Sequence, residues 1–466
     1  MTYNKMIYPV ILCAGVGKRM KSVFPKVMHC VLDKPMLWWV LRSFRGLIDN
    51  EPIVVVGKNK DLISQYFAGE KINYVVQSEP LGTAHALLCA YKSLKSFSEE
   101  DYFLVMPGDM PLIKQETIKN LCKMSEQNND ITFITCKVDD PKGYGRILRD
   151  KDNNFLRIVE EKDAKSDELN IKEVNVGIYL IKIALLKLLY NIENNNAQGE
   201  YYLTDLLELA LKMGYKIGTM EIFDQKEVLG VNSQKDLLEA QNEAKRTIID
   251  VHLDNGVQIF DINSTWIGPE VCISSGAKIM PASVIYGKSK IGSSTIGPFS
   301  NVENSTIGDN CNVIYSVIRN STIGNSVNIG PFSHIREETV VHDNIRIGNF
   351  VELKKTEIRN NSKVSHLSYL GDTSVGSNVN VGAGTITCNY DGFDKHRTTI
   401  EDDVFVGSDS ILVAPVKLSK GSMVAAGSVI TRDVPEDSLG IGRASQVNKA
   451  GWVKIFRSTK AKKKDD

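Results

Sequence analysis

The chain has 466 residues, 42% hydrophobic and 24% charged, which is long enough for two globular domains. Lys plus Arg equals Asp plus Glu at 56 each, which excludes a bulk field that would steer the protein to nucleic acid or to membranes. The eight cysteines form no Cys-x-x-Cys pair and no run approaches about eighteen apolar residues, so we expect a reduced, cytoplasmic protein without a zinc site, disulfides or membrane spans.

The first half alternates short apolar runs with helical patterns. The runs that predict buried strands are Tyr8–Leu12, Ile53–Val56, Ile72–Val76, Tyr102–Met106 and Ile131–Cys136. Helical spacing lies between them, for instance at Ala84–Leu94 and Thr117–Gln127. This alternation predicts an α/β, doubly wound, Rossmann-like domain with a mostly parallel sheet, which binds ligands at the carboxyl ends of its strands.

A glycine-rich turn, Leu12–Met20, follows the first predicted strand. Backbone N–H groups in such a turn can approach phosphate oxygens closely. The turn is not a Walker A loop, because Arg19 follows Gly17-Lys18, and it is not a dinucleotide fingerprint, because Met20 stands in place of the third glycine. On the glycines alone, a plain turn is the simpler interpretation.

Three further features favour a nucleotide site near this turn. Lys26 adds a cation, Gly82-Thr83 opens a predicted helix, and Gly108-Asp109 follows the strand Tyr102–Met106. Asp109 by itself is typical of an ordinary turn. Together, the cation, the helix start and the carboxylate predict a site for a metal-bound phosphate.

A helix is predicted between the two halves, because Ser233–Asp236 resembles a capping box and helical spacing continues to Val251. The alternative is that this is the last helix of the first domain. The predicted organisation is therefore a first domain over residues 1–232, a linker helix over 233–252 and a second domain over 253–466.

From about Ile267 to about Ile430 an aliphatic residue recurs every six positions, as in Ile323–Asn328. A strict period of six residues predicts a prism-shaped parallel β-helix with three short strands per turn. At about 18 residues per turn and about 4.8 Å between stacked strands, this stretch would form about nine coils, about 45 Å long. The repeat alone is also compatible with a spacer or an oligomerisation rod.

The repeat is interrupted between Leu353 and Thr399, around His366 and by the segment Cys388–Lys395. This segment is predicted to be a loop ejected from the rod, and loops on a rigid scaffold often carry function. The run from Lys460 to Lys464 is predicted to be a solvated, disordered end.

These features, together with Tyr144–Ile147, Val159–Ala164, Asn196–Tyr202 and Gly230–Asn232, resemble the sugar-1-phosphate nucleotidyltransferases. Joined to a hexapeptide-repeat half, the chain from Tyr8 to Trp452 resembles the bacterial bifunctional N-acetylglucosamine-1-phosphate uridyltransferase/glucosamine-1-phosphate N-acetyltransferase family. The resemblance implies a left-handed parallel β-helix, a homotrimer that shares its acetyl site between chains, and synthesis of UDP-N-acetylglucosamine for peptidoglycan and lipopolysaccharide. Acetyl-CoA would acetylate glucosamine-1-phosphate, and UTP would then uridylylate the N-acetylglucosamine-1-phosphate with release of pyrophosphate.

The resemblance implies roles in uridylyl transfer. The attacking sugar phosphate is already an anion, so Lys26, Arg19 and a Mg²⁺ ion held by Asp109 and Asn232 would act by neutralising charge, without a general base. The residues implied to hold nucleotide and sugar are Leu12, Cys13, Ala14, Gly15, Lys26, Gln77, Gly82, Thr83, Pro107, Gly108, Asp109, Gly145, Glu160, Asn175 and Asn232. Gly143 is an alternative to Gly145 as the glycine that contacts the sugar. Two positions depart from the family pattern, Lys18 in place of threonine and Pro107 in place of a hydroxyl-bearing residue.

For acetyl transfer, the resemblance implies that His366 is the base. An amino sugar is largely protonated at neutral pH and must lose a proton before it attacks a thioester. Either Asp372 or a nearby backbone carbonyl could orient the imidazole. The residues implied to bind the sugar phosphate are Arg336, Lys354, Tyr369 and Asn380, and those implied to contact acetyl-CoA are Ala383, Asn389, Tyr390, Ser408, Ala426 and Arg443.

Two other functions are compatible with the same folds. One is a nucleotidyltransferase whose rod only oligomerises or binds a regulator, and His366 with the ejected loop argues against it. The other is a regulatory or scaffold subunit, which would be expected to have lost Asp109, Lys26 or the glycine turn, and all three are present.

Overall fold

The computed structural model describes residues 5–15 and 17–462. The chain divides into two compact units, Met1–Ile248 and Ile249–Asp466. Within the described part of the chain, every helix is too short or too polar to cross a membrane.

The first unit is built on a mixed sheet with helices around it. Its strands are β1 (Ile7–Cys13), β2 (Cys30–Val31), β3 (Lys34–Pro35), β4 (Ile53–Val56), β5 (Asn73–Val76), β6 (Tyr102–Pro107), β7 (Ile131–Lys137), β8 (Gly145–Arg149), β9 (Phe155–Val159), β10 (Glu173–Lys182) and β11 (Ile217–Ile222). The α-helices of the chain are α1 (Met36–Arg42), α2 (Lys60–Tyr66), α3 (Thr83–Ser93), α4 (Gln115–Lys123), α5 (Thr204–Lys212), α6 (Gln234–Asp254) and α7 (Trp452–Lys462). Short 3₁₀ helices are Lys18–Met20, Lys26–Met28, Met124–Gln127, Glu168–Asn170 and Ile183–Asn191.

The sheet order is β11-β7-β10-β6-β1-β4-β5, with β8 and β9 attached to β10 as a hairpin. The five strands predicted from apolar runs are all present, and their neighbours pair in parallel. The exception is β10, which runs antiparallel between β6 and β7. Adjacent residues of a strand face opposite sides, and Val10 and Ile11 belong to two separate apolar cores. The sheet is therefore covered on both faces, as in doubly wound domains.

The pairing of β1 with β6 positions the candidate nucleotide loops. Leu12 lies opposite Pro107 in this parallel pair, and Gly108 N donates to Leu12 O at 3.1 Å. The loops that follow the two strands therefore leave the same edge of the sheet side by side.

Helix α6 covers the segment predicted as the linker helix, and its start is a reciprocal cap. Asp236 accepts a hydrogen bond from Ser233 N at 2.8 Å, and Asp236 N donates to Ser233 Oγ at 3.3 Å. This arrangement satisfies N–H groups that an unprotected helix start would leave without partners.

The second unit is a left-handed parallel β-helix whose strands form three stacks of 11, 10 and 9. The first stack contains Gln258–Ile259, Lys278–Ile279, Thr295–Ile296, Asn312–Val313, Asn328–Ile329, Arg346–Asn349, Lys363–His366, Asn380–Val381, Phe405–Val406, Met423–Val424 and Leu439–Gly440. The second contains Trp266–Ile267, Val284–Tyr286, Asn301–Glu303, Val317–Arg319, His334–Ile335, Glu352–Lys354, Tyr369–Gly371, Ile386–Cys388, Ile411–Val413 and Val429–Ile430. The third contains Cys272–Ile273, Lys290–Ile291, Thr306–Ile307, Ser321–Ile323, Thr339–Val341, Glu357–Ile358, Thr373–Val375, Thr398–Ile400 and Val416–Leu418.

The rod is longer at both ends than the sequence pattern predicts. It begins at Gln258 and ends at Gly440, beyond the predicted limits of Ile267 and Ile430. In the first coil Ile259 lies eight positions before Ile267, and in the last coil Gly440 takes the position that Val424 holds in the coil before, so the six-residue pattern does not reveal these coils. Inside the rod the first aliphatic residue of each hexad is buried, and each such side chain contributes about 1.5–3 kcal/mol on transfer from water.

Side chains at the corners explain why the hexads so often carry Asn or Asp after Ile-Gly. Asp309 Oδ1 accepts from Ser293 N at 2.7 Å, and Asn325 Oδ1 accepts from Asp309 N at 2.8 Å. Asp343 Oδ1 then accepts from Asn325 N at 2.6 Å. Each side chain satisfies a backbone N–H of the coil before it, which the corner geometry would otherwise leave without a protein partner.

The predicted disordered tail differs from the structure where it is described. Lys460 belongs to α7, so the disordered end does not begin there, although the helix is exposed. The remaining part of that prediction, residues 463–466, lies outside the described residues.

Candidate functional site

A cleft of about 820 Å³ opens at the carboxyl edge of the sheet. The predicted residues that line it are Leu12, Cys13, Ala14, Gly15, Arg19, Lys26, Gln77, Gly82, Thr83, Pro107, Asp109, Glu160, Asn175 and Asn232. Gly108 and Gly145 lie just behind this lining. The structure therefore brings together residues from loops that are more than two hundred positions apart.

Lys26, Asp109 and Asn232 form the most polar contact in the cleft. The Lys26 ammonium is ion-paired with Asp109 Oδ2 and donates to Asn232 Oδ1 at 2.6 Å. Asn232 is itself fixed, because its Nδ2 donates to Gly230 O at 3.2 Å and its backbone N donates to Asp236 Oδ2 at 2.8 Å. A cation thus lies between two hard oxygen atoms, and the one on Asn232 is held in place by its own neighbours.

Two glycines are required by close approach of other groups to their backbone. Gly17 has φ +62°, and a Cβ there would lie 2.8 Å from Lys26 Cβ. A Cβ at Gly108 would overlap Cys13 Sγ and crowd Val27. These glycines let the Lys26 stem and the Asp109 loop reach the cleft. Val16 and the side chain of Lys18 lie outside the described residues, so the Lys18 departure stays a prediction.

The far end of the cleft is formed around Glu160 and Asn175. Burial raises the pKa of Glu160, whose Oε1 accepts from Thr204 Oγ1 at 3.2 Å. A Cβ at Gly145 would lie 3.5 Å from Glu160 Oε1, whereas Gly143 N donates to Glu161 Oε1 at 3.0 Å. Of the two competing glycines, Gly145 adjoins the carboxylate that lines the cleft.

Asn175 is positioned by a residue that sequence reasoning missed. Its Nδ2 donates to Tyr179 Oη at 2.6 Å, and its Oδ1 accepts from Gly177 N at 3.1 Å. The register of β10 shifts between Asn175 and Tyr179, and this bulge turns both side chains toward the cleft. An irregularity inside one strand has no signal in the apolar pattern.

The second group of candidate residues lies on one corner of the β-helix, where His366 is exposed. His366 Nδ1 is 2.5 Å from Asn349 Oδ1, one coil away. An amide oxygen only accepts, so the ring proton lies on Nδ1 and the Nε2 lone pair is free to take a proton. The two orienting partners considered from sequence are therefore both replaced: Asp372 instead accepts from Asn389 Nδ2 at 2.5 Å.

Cationic side chains lie along the second-stack strands that follow this corner and at the next corner of the coil. Arg336 Nη1 is 2.8 Å from Glu352 Oε1, and Tyr369 stands next to Glu352 in the adjacent coil. A side-chain contact with Lys395, and then its charge, lower the pKa of Lys354. Two ammonium groups held this close favour an anion between them. Lys395 was missed as a site residue, because only the folding of the ejected loop brings it to Lys354.

The ejected loop is shaped by its own hydrogen bonds. Asp391 Oδ1 accepts from Phe393 N and Asp394 N at 2.8 Å, and Asp391 Oδ2 is 2.7 Å from His396 Nε2. These bonds hold the pKa of Asp391 well below its usual range. Tyr390 and Lys395 form an isolated antiparallel bridge across the loop, so Lys395 is returned to the rod.

Small residues continue the His366 corner along the rod. We define the corner column as Asn349, His366, Ala383, Ser408 and Ala426. Backbone bonds link successive coils at this corner: Gly384 N to His366 O, Asp409 N to Ala383 O, and Gly427 N to Ser408 O, at 3.3, 2.7 and 2.7 Å. Arg443 approaches the column at its end, 3.7 Å from where a Cβ on Gly427 would lie. Asn380 starts a strand in the same stack as His366.

Comparison with known proteins supports a transferase assignment for both halves. Residues 9–156 match the MobA-like NTP transferase domain, residues 320–355 the bacterial transferase hexapeptide (six repeats), and residues 397–432 the hexapeptide repeat of succinyl-transferase. Over 447 residues, 95% of this chain and 97% of the relative, the chain is 48% identical to "Bifunctional protein GlmU" of Caldanaerobacter subterraneus subsp. tengcongensis. The chain belongs to the GlmU family.

Other members of the GlmU family match equally broadly. The protein of the same name from Fervidobacterium nodosum is 48% identical over 451 residues, covering 96% of this chain and 97% of the relative. That from Carboxydothermus hydrogenoformans is 43% identical over 448 residues, covering 96% and 99%. The likeness therefore spans both units and includes both candidate sites.

Proposed function

We propose that the protein makes UDP-N-acetylglucosamine in two steps at two sites. Acetyl-CoA acetylates glucosamine-1-phosphate at the corner column, and UTP uridylylates N-acetylglucosamine-1-phosphate in the sheet cleft with release of pyrophosphate. The observation that carries the bifunctional assignment is His366, held by Asn349 with Nε2 free, while Lys354 ends the next strand along the chain from Asn349. A rod that only oligomerises needs neither an oriented histidine nor cationic side chains near it. The product would supply peptidoglycan and lipopolysaccharide synthesis, and cytoplasmic UTP and acetyl-CoA favour a cytoplasmic location.

In the sheet cleft, catalysis is charge neutralisation and positioning. The sugar phosphate attacks the α-phosphorus of UTP and pyrophosphate leaves, so negative charge is concentrated near Lys26 and Arg19. Nucleotide phosphates would compete with Asp109 for the Lys26 ammonium. Glu160 and Asn175, at the far end, would bind sugar hydroxyl and amide groups.

The oxygen atoms around Lys26 fit a magnesium ion. Asp109 and Asn232 would hold it, since both are hard oxygen donors and two protein ligands leave room for phosphate and water. The Lys26 ammonium between them supports this assignment, because both oxygen atoms already face one cation. When bound, Mg²⁺ would supply further neutralisation of phosphate charge.

At the corner column, His366 would act as general base. The sugar ammonium first loses one proton through Nε2 to solvent, and the freed amine attacks the thioester carbonyl. Nε2 takes the second proton from the same nitrogen as the tetrahedral intermediate forms, and the C–S bond breaks as that intermediate collapses. The imidazolium then returns the proton to the CoA thiolate. Arg336, Lys354 and Lys395 would bind the substrate phosphate, and Asn349 keeps the ring in the productive tautomer.

Coenzyme A would follow the corner column beyond His366. The side chains of Ala383, Ser408 and Ala426 are small, which leaves space for a pantetheine arm along the coil. Asn389 and Tyr390 belong to the ejected loop, and Arg443, at the end of the column, is exposed and could pair with CoA phosphates.

A homotrimer is proposed from exposed apolar surface next to the corner column. Phe299, Tyr315, Phe332 and Phe350 stack one per coil, with ring centroids 5.3–5.6 Å apart, and we call them the aromatic ridge. Phe299 is 62% and Phe332 54% exposed in the single chain. Stacked aromatic surface of this kind marks an interaction site, and further copies of this chain would cover it. Phe332→Lys should yield smaller species in sedimentation velocity, and an unchanged trimer would contradict this use of the ridge.

Omission of single substrates tests the bifunctional proposal. With glucosamine-1-phosphate and acetyl-CoA alone, we expect release of free thiol. With UTP and N-acetylglucosamine-1-phosphate alone, we expect pyrophosphate. Release of pyrophosphate without thiol would instead support the nucleotidyltransferase whose rod only oligomerises. If neither pyrophosphate nor thiol is released, the protein would be a scaffold or regulatory subunit.

A further inference from the structure

Gln77, at the end of β5, has an amide that is held on one side only. Its side chain is 4% exposed and lines the sheet cleft. Gln77 Nε2 lies 3.1 Å from Gly82 O and 3.0 Å from His85 Nδ1. Both amide hydrogens therefore have partners on α3 or at its start, and the amide oxygen remains to meet a ligand in the cleft.

The Gly82 carbonyl determines which way the Gln77 amide is turned. A carbonyl oxygen only accepts, so the nitrogen of the amide must face it. His85 Nδ1 then meets the same NH₂ group and must also accept, which puts the ring proton on Nε2. That nitrogen lies 4.0 Å from Cys89 Sγ, one helical turn further along α3. Two acceptors, one from the backbone and one from His85, hold the amide in one orientation.

We infer that His85 is a positioning residue that keeps the Gln77 amide oxygen turned toward the base, and that it thereby selects uracil over cytosine. This inference rests on the proposed uridylyl transfer. Uracil presents N3–H, a donor that the amide oxygen can accept from. Cytosine presents an unprotonated N3, so two acceptors would face each other.

Cytosine could be accommodated only if the amide of Gln77 turned over. Its oxygen would then face the Gly82 carbonyl, and His85 could keep a hydrogen bond only by moving its ring proton from Nε2 to Nδ1, away from Cys89 Sγ. A site with a fixed acceptor rejects the wrong base because buried polar groups are left unpaired. Removal of His85 takes away one of the two groups that oppose this rotation of the Gln77 amide. The preference for uracil over cytosine should therefore weaken.

The test compares His85→Leu with His85→Asn in the full-length protein. Leucine has no acceptor, whereas the asparagine oxygen occupies a position close to that of Nδ1. Pyrophosphate release with N-acetylglucosamine-1-phosphate gives kcat/KM for UTP and for CTP. We expect the UTP-to-CTP ratio to fall about tenfold in His85→Leu, mainly through KM for UTP, and to recover in His85→Asn.

A merely structural role of His85 predicts a different pattern. Both nucleotides would then lose efficiency equally, the ratio would stay constant, and the inference would be overturned. The thermal transition of the sheet unit, compared with that of the wild-type protein, controls for folding of both variants, and thiol release at the β-helix should be unchanged. If His85→Leu does not fold, failure of His85→Asn to keep the wild-type ratio would also overturn it.

A modified nucleotide separates this inference from the proposed function. In 3-methyl-UTP the N3–H is replaced, so the wild-type protein should use it far less well than UTP. Equal use of the two nucleotides would show that the Gln77 oxygen does not recognise N3–H, while uridylyl transfer itself stands. No turnover of UTP by the wild-type protein would instead refute the proposed reaction.

Discussion

The two candidate sites are assembled over very different distances along the chain. In the sheet cleft, Lys26 meets Asn232 across 206 positions, and the contact depends on strand order, the β1–β6 pairing and the start of α6. At the corner column, His366 meets Asn349 across 17 positions, which is one coil of the rod. A sheet edge collects distant residues through the packing of the whole domain. A β-helix repeats one geometry, so its site needs only neighbouring coils in register.

This difference predicts that each site can be damaged without the other. The sharpest case is His366→Ala, which should lower the rate of thiol release by about 10²–10⁴-fold, the usual contribution of general acid–base catalysis. Pyrophosphate release from UTP should stay at the wild-type rate. If both activities fall together, the substitution has damaged the whole chain and the assignment of His366 is not supported.

Asp109→Ala is the converse substitution in the sheet cleft. Magnesium-dependent pyrophosphate release should fall by about 10²–10³-fold, because a charged ligand of the phosphate region is lost. Asp224→Ala is a matched control, since that carboxylate pairs with Lys114 on the surface at 2.7 Å. Near-normal turnover of Asp109→Ala would refute the metal assignment.

Asn349→Ala tests whether neighbouring coils are sufficient to build the corner site. The imidazole would lose the acceptor that fixes its tautomer, and we expect kcat for thiol release to fall about tenfold with little change in KM.

Asn349→Asp distinguishes orientation from simple packing. A carboxylate there would stabilise the imidazolium, so the acidic limb of the pH–rate profile should move to higher pH. An unmoved profile would show that residue 349 does not act on the base.

The smallest effect concerns stability of the sheet unit alone. Burial, then Glu208 and Asp163, raises the pKa of Asp205 to about 6. A raised carboxyl pKa means that the folded state holds its proton more tightly, so stability is lost as pH rises from the unfolded pKa to about 6. After allowance for partial exposure, Asp205→Asn should stabilise this unit by about 1 kcal/mol at pH 8.

Calorimetry at two pH values checks the Asp205 prediction. The gain from Asp205→Asn should shrink as the pH is lowered below 6, since the native carboxyl is then neutral as well. The same gain at both pH values would indicate improved packing instead of removal of a buried charge. The transition of the β-helix should be unaffected.

Sequence patterns located the elements with strong periodicity and missed the exceptions to it. The strand Ile53–Val56 is found with the predicted bounds, because a buried parallel strand is a continuous apolar run. The antiparallel course of β10 is invisible in such a run, since apolar content does not encode direction. The terminal coils at Gln258 and Gly440 were also missed, because Ile259 is out of phase with the six-residue repeat and Gly440 stands where the repeat has an aliphatic residue.

The sequence patterns predicted the α/β and β-helix architecture of the two units, and the family resemblance supplied many of the residues that line the cleft. Apolar spacing follows from which side chains must leave water, and loops after parallel strands must share one edge. Only the tertiary structure decided the side-chain partners: Asn349 for His366, Lys395 beside Lys354, and the turned amide of Gln77. Hydrogen bonds extend over about 3 Å, so they depend on register and rotamer, which no spacing of residue types specifies.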